Sequence, residues 1–223
     1  MKRSFSIICS LSFLCSLSNV EAQHAMLKLE PVSYSKVKID DQFWKSRMNA
    51  VSNVTIPVCI DQTEVKTGRI RNFEKVAAKK GEKHQGMFYD DSDVYKALEA
   101  IAYSLSNHPD AAIEKKADEW IDKIAAAQLP DGYLNTFYTL GDISKRWTDM
   151  DMHEDYCAGH LIEAAVAYYN TTGKRKLLDV AIHFANEIDD KKAKEVEIDQ
   201  VALRRIVVYN RENDVQIEII TNS

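Results

Sequence analysis

His153 is the residue whose type and position carry the most chemistry. It opens a periodic segment, Met152-His-Glu-Asp-Tyr-Cys-Ala-Gly-His160, and shares a helical stripe with Tyr156 and His160. The positive end of a helix dipole disfavours imidazolium, so a neutral, hydrogen-bonding imidazole is natural there. The bland alternative is a capping or core histidine, and for His160, deeper in the helix, a core role is the expectation. Asp90, Asp91 and Asp93 cluster ahead of another helix, where carboxylates can meet a sugar hydroxyl or a cation, or simply cap the helix; capping is expected. Asp149, Asp151, Glu154 and Asp155 read in the same way. No Cys-x-x-Cys, His-Glu-x-x-His, calcium-loop, phosphate-loop or nucleophile-elbow pattern occurs, so spacing alone gives neither a metal ligand nor a catalytic group.

The elements that must hold these side chains are helical. Ser92 suits an N-cap with Asp93 in the first turn, and Val94, Leu98, Ile101, Ala102 and Leu105 then recur at helical spacing. After the turn Asn107-His-Pro-Asp110, a second helix presents Ile113, Ala117, Trp120, Ile121 and Ile124, ending near Gln128 before Pro130-Asp131-Gly132. A third helix is predicted from about His153 to Asn170, with Gly173 at its C-terminal left-handed position. A fourth starts at Lys174 and carries Leu177, Leu178, Ala181, Phe184, Ala185 and Ile188. Two successive helical hairpins with opposed apolar stripes point to a toroid or solenoid of helix pairs rather than a closed bundle.

Outside this region the pattern changes. Val37 to Trp44 alternates enough for a short strand, Pro57 is expected to break the helix that follows, and 62–86 reads as loop with a solvated lysine face. From Arg204 the period is nearer two, and the turn Asn210 to Asp214 predicts a C-terminal β-hairpin. Lys2 and Arg3, the apolar run Phe5 to Leu17, and Val20-Glu-Ala22 have the layout of a secretory signal peptide over 1–22, cleaved before Gln23. The mature chain is then expected to be secreted or periplasmic, without a membrane segment. Removing 1–22 leaves Cys59 and Cys157, too few for a disulfide framework and expected as unpaired thiols. The net charge of -5, with no long basic run, argues against nucleic acid as a partner; oligomeric state is left open.

Several words, in order, resemble glycoside hydrolase family 127, the β-L-arabinofuranosidase-like enzymes. They are Val37 to Trp44, Thr55-Ile-Pro57, Gly68-Arg-Ile, Asn72-Phe73, Phe88 to Lys96, Ala127-Gln128 with Asp131-Gly-Tyr-Leu-Asn-Thr136, and His153 to Glu163. The resemblance covers about 37–189. It implies an (α/α)6 barrel acting on arabinose-containing glycans, with retention, through a zinc-bound cysteine thiolate and a glutamate acid/base. That chemistry is coherent, since zinc holds a thiol deprotonated and a carboxylic acid of raised pKa can protonate a leaving oxygen. By the same resemblance His153 contacts the sugar, with Asp93 and Tyr133 as further substrate-binding candidates.

The family's zinc ligands, nucleophile and acid/base belong to a later part of its barrel and have no counterpart here. No catalytic residue, metal ligand or cofactor is therefore assigned to this chain, zinc being a property of the complete family enzymes, and Cys157 is not promoted to nucleophile. The expectation is a mainly α protein: a partial (α/α)6 toroid over 23–189 with a short N-terminal strand, inactive alone. The segment 190–223 resembles a β-hairpin of DDE-class insertion-sequence transposases and is expected to be a foreign tail. A non-catalytic helical carbohydrate-binding or scaffold protein is the alternative.

Overall fold

The computed structural model describes residues 32–194, 204–211 and 214–221, with side chains described over 32–34 and 36–189. The expected signal peptide, 1–22, lies outside the described residues. In chain order the elements are α1 (Gln42–Ala50), α2 (Ile56–Asp61), α3 (Arg69–Ala78), α4 (Asp91–Asn107), α5 (Ala111–Ala127), α6 (Thr136–Leu140), α7 (Glu154–Thr172), α8 (Lys176–Lys194), β1 (Arg204–Arg211) and β2 (Asp214–Thr221).

Two helical hairpins, α4–α5 and α7–α8, stack so that α4 lies on α7 and α5 on α8, with α3 covering α5. Apolar periodicity explains the arrangement. Val94, Tyr95, Leu98, Ile101 and Leu105 of α4 meet Cys157, Ala158, Leu161, Ile162, Ala165 and Tyr168 of α7 in one continuous core, each nearly or fully removed from solvent. Small residues on α7 (Ala158, Ala164, Ala165, Ala167) let the backbones approach, while Trp120, Ile121 and Ile124 of α5 and Leu177, Leu178 and Phe184 of α8 fill the second layer. Each such aliphatic side chain contributes about 1.5–3 kcal/mol through burial. The turn between α4 and α5 is fixed by Asp110, whose carboxylate accepts from Ala112 N at 2.8 Å and Ile113 N at 3.1 Å.

Three local expectations are corrected. Val37 to Trp44 forms no strand, because Asp41 accepts from Trp44 N at 2.8 Å and starts α1; local capping overrides a weak alternation. Pro57 does not break the helix. The turn before it, 51–55, is widened to π geometry, in which Ile56 N donates to Val51 O, and the proline sits in the first turn of α2. A second π turn over 62–66 carries the helix onward, so 42–66 is nearly continuous. Nor is 62–86 all loop: Ile70, Phe73 and Val76 are the buried stripe of α3, hidden in the sequence among arginines and lysines.

The stretch 42–66 leaves Trp44, Val51, Val54, Val58 and Val65 exposed, an apolar face. At the C-terminal end, β1 pairs antiparallel with β2, Arg204 opposite Thr221 and Arg211 opposite Asp214. Among the described residues no helix is long and apolar enough to cross a membrane.

Candidate functional site

The stacking of α4 on α7 runs their N-termini to the same end, and an aromatic shelf forms there. Phe88 and Tyr89 lie on the turn leading into α4, and His153 caps α7; the rings of Phe88 and His153 meet edge-on at 5.3 Å, with Tyr89 5.7 Å from His153. Tyr156, one turn into α7, stands edge-on to His153 at 5.5 Å. Phe137 of α6 lies 6.2 Å from Phe88, and His84 closes the row 5.4 Å from Phe137. Tyr156 and His153 are exposed, and Phe88, Phe137 and His84 are half-buried, so part of each ring stays accessible to a ligand, although Lys96 Nζ lies 4.8 Å over the Tyr156 ring. Burial holds the His84 imidazole below its ordinary pKa, favouring an uncharged ring in this row.

Backbone geometry sets the His153 ring. The residue sits in the left-handed region at φ 60°, and its Nδ1 lies 2.6 Å from Asp151 O. A carbonyl oxygen can only accept, so Nδ1 carries the hydrogen; in the neutral ring Nε2 is left with a lone pair. The turn beneath Phe88 needs a glycine at 86. At φ 103° a Cβ there would stand 2.1 Å from Asp90 Oδ2, the atom that accepts from Met87 N to close the turn.

Behind the shelf lies a buried polar frame. Asp91, at the start of α4, accepts from Thr136 N at 2.7 Å and from Thr136 Oγ1 at 2.5 Å, pinning the segment that delivers Phe137. Burial raises the Asp91 carboxyl to about 6 despite those two donors. Tyr133 donates its hydroxyl to Glu154 Oε1, and Glu154 Oε2 accepts from Trp147 N at 2.6 Å. Trp147 Nε1 in turn donates to Glu187 at 3.3 Å. Burial pushes the Tyr133 phenol far above its usual range, with the hydrogen bond to Glu154 adding to the effect, and burial also raises Glu154. A protonatable carboxyl inside the shell and an un-ionised phenol are what a desolvated hydrogen-bonded pair requires.

The three candidate substrate residues therefore occupy different places. His153 is at the open shelf. Asp93 is half-buried and ion-paired, with Arg69 Nε at 3.1 Å and Lys96 Nζ at 3.5 Å, and Arg69 also reaches Asp90 at 3.3 Å. Tyr133 is fully buried, edge-on to Trp147 and Phe184, with its hydroxyl committed to Glu154. The expected N-cap at Ser92 also moves: α4 begins at Asp91, Asp90 is its cap, and Ser92 is buried inside the helix, accepting from Lys96. Phe88, Phe137 and His84, which the structure brings into the aromatic row, were not singled out from the sequence. The doublet Phe88-Tyr89 before an acidic helix start was the only hint, since aromatic residues near a turn look the same whether they line a site or a core.

A zinc–thiolate centre does not fit the residues described. Among the described residues the two cysteines, Cys59 and Cys157, are free; Cys157 is buried, donates to Tyr89 O at 3.7 Å, and has its thiol pushed up by burial, the opposite of an activated nucleophile. A cavity of about 250 Å³ at the α7–α8 turn, lined by Asp118, Asp122, Tyr168, Lys174 and neighbours, stands away from the shelf. That turn is roughly 28 Å from His153 along the 19 residues of α7.

Stacked antiparallel helical hairpins with an aromatic shelf at the helix N-termini define an α/α architecture, and comparison with known proteins gives its family. The profile of the β-L-arabinofuranosidase, GH127 catalytic domain matches residues 36–215. The non-reducing end β-L-arabinofuranosidase of Bifidobacterium longum subsp. longum is 36% identical over an alignment of 178 residues that covers 69% of this chain and 27% of that protein. A crystal structure of a GH127 β-L-arabinofuranosidase from Geobacillus stearothermophilus T6 superposes with a TM-score of 0.67 at 43% identity, covering 69% of this chain and 25% of that one. A second GH127 β-arabinofuranosidase structure gives 0.65 at 42%, covering 70% and 26%. The chain belongs to glycoside hydrolase family 127, within its catalytic domain. It spans about a quarter of the length of these relatives.

Proposed function

We propose that this chain supplies one wall of a sugar-binding pocket for arabinose-containing glycans and that, alone, it turns over no glycoside. The observation that carries the binding half is the shelf: an imidazole offering Nε2, with Phe88 and Tyr156 edge-on beside it, all open at the N-terminal ends of two parallel helices. Flat apolar surface beside one or two fixed polar atoms is how a pocket orients a small polar ligand. His153 is the contact residue of this reading. Asp93 and Tyr133 enter it as positioning residues, through the Arg69 ion pairs and the Glu154 hydrogen bond respectively.

The inactivity half rests on the chemistry of the side chains. Glycoside hydrolysis through a thiolate needs a cysteine of depressed pKa and a facing carboxylic acid, and Cys157 is shifted the other way. A non-catalytic carbohydrate-binding role is the second reading, favoured by the same shelf. Assay of the purified chain on an aryl β-L-arabinofuranoside, with and without zinc, together with calorimetric titration of an arabinan oligosaccharide, separates the outcomes. Binding without turnover is expected. Turnover would overturn the inactivity, and absence of binding would overturn the shelf.

Two further parts of the proposal concern the ends. Residues 1–22 direct export and are removed before Gln23, which mass spectrometry of the secreted protein checks. The segment 190–223 has a different origin from the rest, a mobile element; the relatives and solved structures cover 69–70% of the chain, while the family profile continues to 215. Glycosidase coding sequence continuing in frame at the locus, with no mobile element beside it, would rule that origin out.

A further inference from the structure

His160 and Glu163 stand one turn apart on α7, and Glu99 reaches them from α4, the helix packed against it. One ligand atom from each lies within 4.8 Å of the other two. His160 Nδ1 is 3.3 Å from Glu163 Oε2, yet this nitrogen, removed from solvent, completes no hydrogen bond. A buried polar atom left in that state calls for an ion or a water. The Tyr156 ring packs edge-on to the imidazole at 4.6 Å and fixes its orientation. No described lysine or arginine is ion-paired with Glu99 or Glu163.

We propose that Glu99, His160 and Glu163 bind one divalent transition-metal ion of the Zn²⁺ class. Side chains at i and i+3 of one helix, completed by a carboxylate from the facing helix, are a standard way for packed helices to build a metal site. One imidazole and two carboxylates suit zinc at about 2.0–2.2 Å, with water in the remaining position. The exposed Glu163 side chain is free to draw inward and shorten the present spacing. The ion neutralises two carboxylates that otherwise face each other across the α4–α7 seam, and it ties the two helices that carry the shelf. This centre contains no sulfur ligand and lies seven residues along α7 from His153, roughly 10 Å.

The test is calorimetric titration of the metal-stripped 223-residue chain with Zn²⁺ alone, alongside thermal melts and Co²⁺ absorption. One ion per chain is expected, with a raised Tm and cobalt ligand-field bands lacking the thiolate charge-transfer band. Glu163→Gln and Glu99→Gln should each weaken binding at least about tenfold, while Cys59→Ser leaves it unchanged. Glu163 is exposed, so its substitution spares the fold, and far-UV circular dichroism verifies this. Lack of stoichiometric Zn²⁺ binding would overturn the proposal. So would unchanged affinity in the Glu99→Gln/Glu163→Gln double variant, or a thiolate band with cobalt.

Discussion

The buried pin between Asp91 and Thr136 gives the sharpest prediction, because its sign is unusual for a carboxylate. Asp91 is 2% exposed and its pKa stands at about 6 against the ordinary 3.8, burial outweighing the two Thr136 donors. With the folded pKa above the unfolded one, the folded chain binds more protons between these values. The group's stabilisation is then complete below about pH 4 and lost as pH rises through about 6. Two units at 1.36 kcal/mol each give about 3 kcal/mol. Asp91→Asn removes the titration while keeping the contacts: its carbonyl accepts from Thr136 N, and its amide donates to the Thr136 hydroxyl, which can accept instead of donate. Urea midpoints of the two proteins, measured from pH 4 to pH 7.5, should therefore move apart. Wild type loses stability relative to Asp91→Asn by up to about 3 kcal/mol across the window, every other titrating group cancelling in the difference. A difference independent of pH, or one growing in favour of wild type as pH rises, would refute the reasoning. Asp91→Ala, which leaves Thr136 N–H unpaired, should cost about 1–3 kcal/mol at all pH values.

His153→Asn keeps a residue that tolerates the left-handed backbone but removes the ring. Oligosaccharide affinity should fall about tenfold, equivalent to about 1.4 kcal/mol, with the melting temperature nearly unchanged; equal affinity would remove His153 from the site. Tyr133→Phe strips a donor from buried Glu154 and should lower stability by about 1.5–3 kcal/mol in a urea melt, and, because that bond positions the start of α7, ligand affinity of the folded fraction should fall a few-fold. Gly132→Ala places a Cβ 2.4 Å from His183 O at φ 95°, a double penalty of about 2–4 kcal/mol or failure to fold, read from yield and melting.

The sequence by itself determined the hairpins. Periods of 3.6 over Val94 to Leu105 and Ile113 to Ile124, the cap at Asp110 and the stop at Gly173 are local features, and α4, α5, α7 and α8 start within two residues of where they predicted, although α8 runs on to Lys194, past the expected change at Asp189. The helix start at His153 was legible for the same reason, since a helix start can be read from its neighbours along the chain. Tertiary structure decided what local pattern could not carry. α3 is helical because Ile70, Phe73 and Val76 have α5 to cover them, and Pro57 is tolerated because a widened turn precedes it. It also sorted Tyr133 from His153: both stand in polar words of the sequence, but only long-range packing buries one phenol against Glu154, 21 residues away, and leaves the other ring on an open shelf. Burial and cross-helix juxtaposition are sums over residues distant in the chain, so the meeting of Phe88 with His153, or of Glu99 with His160, is written only in the packing of α4 on α7.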